Sequence, residues 1–88
     1  MNSSPVVALN HAVSVAMAES IEEGLKLIDE LGATGSLDQY YLFHAARADL
    51  LRRLQRAHEA AAAYERALLL TTNHIEHEYL RKRLRQSK

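Results

Sequence analysis

Four consecutive alanines lie in the segment "HEAAAAYERALLL", residues 58 to 70, within a stretch whose residue types favour a helix. Alanine buries little apolar area, but it lets the backbones of two helices approach each other closely. The chain has 88 residues and no cysteine, so no disulfide or thiolate zinc site can support its small core. The alanine run therefore predicts close helix packing in a scaffold, and it is not typical of a catalytic surface.

Composition and charge narrow the class of protein. Hydrophobic residues make up 48% and charged residues 25%, which is typical of one folded domain. The net charge is zero, so nucleic-acid binding by the domain as a whole is not indicated. The apolar opening segment lacks a basic flank and is interrupted by Asn10, His11 and Ser14, which argues against a signal peptide or a membrane span. We expect a cytoplasmic location.

Helix-start signals divide most of the chain into helices. They are Ser4 before Pro5, Ser20 with Glu23, Ser36 with Gln39, and Asn73 with Glu76. Gly32 stands where a helix ends in a left-handed residue, and a tight turn is predicted at Gln55 and Arg56. The helices predicted from these signals and from apolar spacing cover residues 5–18, 21–31, 37–54, 57–70 and 74–86. The apolar stripe of the last helix is Ile75, Tyr79, Leu80 and Leu84.

A constant offset of 36 residues relates the first two helices to the next two. It aligns Ala12 with Ala48 and Gly24 with Ala60. The predicted structural positions of the repeat are Ala12, Gly24, Ile28, Ala48, Ala60, Tyr64 and Ala67. A helical hairpin of about 34 residues with small and large residues in this order resembles the tetratricopeptide repeat. We predict one all-α domain over residues 1–88, with hairpins at about 5–35 and 37–71 and a capping helix at about 74–86.

No residue pattern in the chain indicates an enzyme. His74 and His77 lie three residues apart, but no third metal ligand is fixed by the sequence, so a surface role is favoured. No nucleophile is paired with a base, and no phosphate-binding loop is present. The basic end "LRKRLRQSK" is interpreted as a solvated helix end, with non-specific phosphate binding as the alternative. We therefore predict no catalytic residue, no metal and no cofactor.

The first predicted helix is unusually apolar for the end of a helical stack. In tetratricopeptide geometry one of its sides joins the concave face, and we predict that this face docks a partner. The residues of this candidate docking face are Val6, Leu9, Val13, Ala16, Leu42, Ala45, Asp49 and Arg52. In the isolated chain the same face is expected to form a homodimer.

Three segments carry a more specific resemblance, namely "SPVVALNHAVSVAMAESIEEGLKLIDEL", "YYLFHAARADLLRRLQR" and "EAAAAYERALLLTTN". They resemble the C-terminal, tetratricopeptide-like extension of one group of extracytoplasmic-function sigma factors. Arg47, His11 and Gln55 depart from the patterns of the repeat or of this group. The promoter-binding sigma core, with its region-two and region-four domains, is absent from this chain.

The resemblance implies a role in transcription initiation by bacterial RNA polymerase. The tail is then an interaction or regulatory domain whose partners are the preceding sigma domains and the polymerase. No specific nucleic-acid binding by this chain alone and no membrane contact are expected. The alternative is a free-standing tetratricopeptide adaptor that binds a peptide or protein in its concave groove.

Overall fold

Five α-helices make up the part of the chain that the structure describes, residues 4–87 of a computed structural model. They are α1 (Pro5–Ala18), α2 (Ile21–Ala33), α3 (Tyr41–Arg53), α4 (Ala57–Leu70) and α5 (His74–Ser87). No strand occurs in these residues. The prediction of an all-α fold with two helical hairpins and a final helix is confirmed.

Local capping explains where three of the helices begin. The Ser4 hydroxyl accepts a hydrogen bond from the Val7 N–H, and Pro5 occupies the first helical turn of α1. Ser20 caps α2 in the same way through the Glu23 N–H. The Asn73 side chain accepts from the Glu76 N–H at 3.0 Å and caps α5. The predicted caps at these three positions are confirmed.

The predicted start of the third helix is wrong. Residues 36–39 form a turn, and α3 begins at Tyr41 without a side-chain cap. The Ser36 N–H donates to the Thr34 hydroxyl, and the Asp38 N–H donates to the Gly35 carbonyl. Tertiary contacts with α3 and α4, described below, fix the conformation of this connector, residues 34–40. They outweigh the local capping signal of Ser36 and Gln39.

The predicted left-handed residue is also misplaced. Gly32 lies inside α2, and the left-handed φ of +78° belongs to Gly35. Gly32 instead lets α3 approach, because a Cβ built there would lie 3.0 Å from the Phe43 ring. The turn predicted at Gln55 is confirmed, and Gln55 itself has a left-handed φ of +65°.

The two hairpins, α1–α2 and α3–α4, share one register. α1 and α3 begin 36 residues apart, and so do α2 and α4. α1 packs on α2, α3 packs on α4, and α2 and α1 contact α3 across the hairpins. α5 packs on α4. Every predicted repeat position is buried, including Gly24, Ala60 and Tyr64.

Candidate docking groove between α3 and α5

An apolar groove of about 480 Å³ separates α3 from α5. Its lining consists of Tyr41, Leu42, Ala45, Ala46, Asp49, Ile75, Glu76, Tyr79 and Leu80. On each helix the lining residues recur at intervals of four, in two adjacent rows, so they form one side of that helix. The groove is thus built by residues of two helices that are not adjacent in the chain, α3 and α5.

Small side chains on α3 explain why the groove is open. At the 36-residue offset, Ala45 is the counterpart of Leu9 on α1. Leu9 is buried in the core, where α3 packs alongside α1. An alanine at the equivalent place between α3 and α5 leaves unoccupied volume. The space between α1 and α3 is therefore filled by a leucine, whereas the space between α3 and α5 has only an alanine and stays open as a groove.

A polar contact joins the two helices near the start of each. The Glu76 carboxylate accepts a hydrogen bond from the Thr71 hydroxyl at 2.9 Å and faces the Tyr41 hydroxyl. Partial burial, together with this carboxylate, raises the pKa of Tyr41 to about 12. The hydrogen bond from Thr71 thus fixes the Glu76 carboxylate at this end of the groove.

A second polar network lies further along α3. The Tyr64 hydroxyl of α4 donates to the Asp49 carboxylate and accepts from Arg52 Nε at 3.2 Å. Arg52 also lies 3.9 Å from Asp49, at the outer limit of an ion pair. Burial and the bond to Asp49 raise the pKa of Tyr64 to about 12. The network fixes the Asp49 side chain, which lines the groove.

Two large apolar side chains on α5 project from the wall of the groove into solvent. Ile75 is 78% exposed and Tyr79 is 47% exposed, whereas Leu80 is buried. The Arg83 guanidinium lies 5.3 Å from the centre of the Tyr79 ring, within range of a cation–π contact. An apolar wall with polar groups at its ends is suited to a protein or peptide partner.

The predicted docking face is only partly formed. Leu42, Ala45 and Asp49 line the groove, and Arg52 adjoins it through its contact with Asp49. The four residues of α1 do not line it. The expected exposure of Leu9 and Ala16 is wrong, because both side chains lie in the core, where Ala16 packs against Gly24 of α2. Val13 is partly buried and Val6 is exposed.

The predicted homodimer rested on that exposed face of α1, so it loses this support. A Leu9→Glu substitution would also place a charge in the core and not on a free surface. Of the eight residues of the predicted docking face, four line or adjoin the groove. For these four, which are the α3 residues, a docking role stays a prediction.

The contribution of α5 to the groove is missing from the sequence prediction. That prediction gives one apolar stripe on the last helix, consisting of Ile75, Tyr79, Leu80 and Leu84. Ile75 and Leu80 are five residues apart, which places them about 140° apart around a helix. Leu84 packs against the core, Leu80 is buried where the core meets the groove, and Ile75 and Tyr79 are the exposed groove residues. Counting the angle between the two pairs would have separated them.

Other chemistry is limited in the part of the chain that the structure describes. Among residues 4–87 no group of three His, Asp or Glu side chains could hold a metal ion. None of the five described helices is long and apolar enough to cross a bilayer. The basic residues Arg81, Lys82 and Arg85 of α5 are exposed, and Lys88 lies outside the described residues.

Comparison with known proteins gives one relative. A protein of Rhizobium meliloti (strain 1021), described as uncharacterised, is 43% identical over 81 residues, which are 92% of this chain. The chain spans 19% of the length of that relative. No protein-family model matches the chain. No solved structure matches it either.

Proposed function

We propose that this chain is a helical-repeat docking domain that acts as the C-terminal regulatory domain of a bacterial extracytoplasmic-function sigma factor. The observation that carries the docking role is the apolar groove between α3 and α5, with Ile75 and Tyr79 exposed on its wall. The sigma-factor assignment rests on the resemblance of the three segments quoted above. The match to a fifth of a longer protein is compatible with a domain used inside a larger chain.

In this proposal the domain is not the promoter reader and not an enzyme. Its groove binds a partner segment, the preceding sigma domains or the polymerase, through apolar contact. Any binding of DNA by the exposed arginine and lysine side chains of α5 is then weak, is lost with added salt and does not depend on the DNA sequence. An anisotropy titration with promoter and scrambled DNA at two salt concentrations checks this part.

Two equally exposed residues provide a matched test of the groove. Ile75 is 78% exposed and lines it, whereas Leu69 on α4 is 79% exposed and does not. Burying an isoleucine side chain contributes about 1.5–3 kcal/mol, so Ile75→Glu should weaken partner binding by about tenfold or more. Leu69→Glu should leave binding unchanged. Both variants should keep the wild-type helicity, because neither residue is in the core.

The assay uses the full-length sigma factor that carries this domain, with binding of the domain to the separated sigma core and transcription in vitro as readouts. Loss of binding or altered transcription with Ile75→Glu alone supports the proposal. Equal effects of the two variants would contradict a role for the groove. If Ile75→Glu abolishes capture of a peptide but changes neither readout of the sigma factor, the free-standing adaptor is the correct function.

A further inference from the structure

The shared register allows each surface of one hairpin to be compared with its counterpart in the other. Because the helix starts coincide at an offset of 36 residues, residue n of hairpin one and residue n + 36 of hairpin two occupy equivalent places. A residue of hairpin two can be covered by a neighbouring segment while its counterpart on hairpin one is exposed. The exposed residues then mark a candidate docking surface on hairpin one, and the segment on hairpin two shows what kind of partner would fit it.

On hairpin two, the end of α2 covers one side of α3. Arg47 Nε donates to Asp29 Oδ1 at 2.8 Å. Three residues after Asp29, the missing side chain of Gly32 lets the α2 backbone lie against the Phe43 ring. Phe43 is buried as a result. A carboxylate and a glycine three positions apart thus hold one helix on the next.

The connector after α2 continues this cover. Leu37 is buried, and the carbonyl oxygen of Asp38 accepts a hydrogen bond from Arg66 of α4 at 3.4 Å. His44 Nε2 of α3 lies 2.9 Å from the same oxygen. Both helices of hairpin two therefore bind the turn that precedes them.

No segment of residues 4–87 covers the equivalent surface of hairpin one. Val7 and His11 are the counterparts of Phe43 and Arg47, and both are exposed, Val7 to 57%. A groove of about 200 Å³ lies on this side. It is lined by Ala8, His11, Leu27, Glu30 and Leu31. Together with Val7, these residues are called the leading face below.

The lining of that groove matches the residues that hold the connector on hairpin two. Ala8 is the counterpart of His44, and Glu30 is the counterpart of Arg66. The open groove therefore stands where the connector lies on the other hairpin. Continuity with this internal interface defines the segment that fits.

We propose that the leading face docks the second helix of a further hairpin of the same kind, together with the turn that follows it. The fitting helix carries a carboxylate to face His11 and, three residues later, a glycine or alanine to lie against Val7. The turn after it places one aliphatic side chain in the 200 Å³ groove. This interface is separate from the docking groove between α3 and α5.

Glu30 adds a specific requirement. Arg66 donates to the connector carbonyl of hairpin two, whereas the Glu30 carboxylate only accepts hydrogen bonds. The docked turn therefore presents a donor at this place, such as a lysine or arginine side chain.

A tandem protein tests the proposal with the segment that covers the equivalent surface of hairpin two. Residues 4–39 are inserted a second time directly before Ser4, so that the added copy of α2 and its connector precede α1 in the native register. The melting temperature should rise by several degrees in a single transition, and amides of the covered α1 should exchange about tenfold more slowly. A separate early transition of the added hairpin, with α1 exchange unchanged, would overturn the proposal.

Matched variants locate the contact within the tandem protein. Val7→Glu in the middle hairpin should remove the gain, whereas Val6→Glu should retain it, since Val6 is exposed but lies outside the leading face. In the natural chain neither substitution should change the melting temperature. Glu30→Arg in the middle hairpin should increase the gain, because it restores the donor for the connector carbonyl.

Equal behaviour of the Val7 and Val6 variants would contradict the assignment of the face. Sedimentation of the natural chain tests the competing occupant. A dimer that Val7→Glu abolishes would assign the leading face to a second copy of this chain and overturn the proposed hairpin; a monomer supports the proposal.

Discussion

Hairpins one and two are the same two-helix unit in one register, yet they differ in what covers them. Hairpin two lies between α2 with its connector on one side and α5 on the other, and it holds the fully buried Tyr64, Leu50 and Leu51. Within residues 4–87 hairpin one is covered by α3 alone, and no described segment lies on its leading face. The difference indicates that the residues of each hairpin determine its internal packing. Its docking surfaces are the faces on which no neighbouring helix packs.

The interiors also differ at the place where the two helices of each unit meet. Hairpin two has Ala48 and Ala60 at the equivalent positions, whereas hairpin one has Ala12 and Gly24. A Cβ built on Gly24 would lie 2.3 Å from the Ala16 Cβ and 2.8 Å from the Ala12 carbonyl oxygen. The helices of hairpin one are therefore closer together than an alanine at this position would permit.

The largest effect is expected from Tyr64→Ala in hairpin two. Tyr64 is fully buried, and its hydroxyl is bound by Asp49 and Arg52, so truncation leaves a cavity and removes the hydrogen bond that Asp49 accepts. Loss of a buried aromatic side chain costs about 3–5 kcal/mol. Urea unfolding measures the change, and Tyr64→Phe as the control should retain most of the stability. A loss below about 1 kcal/mol for Tyr64→Ala would show that Tyr64 is not a main source of stability in hairpin two.

A smaller loss is expected from Gly24→Ala in hairpin one. The added Cβ meets the backbone of α1, which cannot rotate away, and overpacking of this kind costs about 1–3 kcal/mol. The second substitution Ala16→Gly should restore only part of this loss, because the Ala12 carbonyl oxygen remains in the way. Thermal melts of the two proteins check the order. An unchanged or raised melting temperature for Gly24→Ala would mean that both hairpins have the same helix separation.

Alkaline pH should weaken hairpin two selectively. The pKa values of Tyr64 and Tyr41 are raised to about 12, above the value near 10 of an unfolded tyrosine. The folded protein therefore retains protons that the unfolded chain loses, and stability that is complete below pH 10 falls as the pH rises to about 12. All four tyrosines follow residue 39, so hairpin one has none. Urea midpoints at pH 9 and 11 should show less alkaline loss for Tyr64→Phe than for wild type, and an identical loss would remove Tyr64 as its source.

The smallest effect separates the two interhelix turns. Gln55 has a left-handed φ of +65°, whereas its counterpart Glu19 has a φ of −120°. Glycine adopts the left-handed conformation without the strain of a side chain, so Gln55→Gly should stabilise the protein by about 1 kcal/mol. Glu19→Gly should not. The denaturant midpoints of the two variants measure the changes in stability. Equal changes would contradict a difference in backbone conformation between the two turns.

Local signals were sufficient to predict much of the fold. The caps at Ser4, Ser20 and Asn73 depend on side chains within a few residues, and the repeat offset depends on the order of small and large residues. The start of α3 could not be predicted in this way. The connector is held by Arg66, which is 28 residues away from Asp38 in the chain. A long-range contact of this kind outweighs the cap that Ser36 offers.

The docking groove was only partly predictable for a related reason. Leu42, Ala45 and Asp49 were assigned to a docking face from the repeat geometry, and they line the groove. Leu9 was assigned with them, but the packing of α3 alongside α1 buries it. Whether two neighbouring helices pack or leave a groove depends on the side chain between them. That side chain is Leu9 between α1 and α3, and Ala45 between α3 and α5. No local pattern indicates which helix will lie opposite.

Residue-level amide exchange in the isolated chain tests the difference in cover most directly. Amides of α3 and α4 should be the slowest to exchange, with protection that corresponds to global unfolding, because neighbours cover hairpin two on both sides. Amides of α1 should exchange at least about tenfold faster through local opening at the leading face. Equal protection of α1 and α3 would contradict the account, since the two hairpins would then be equally covered.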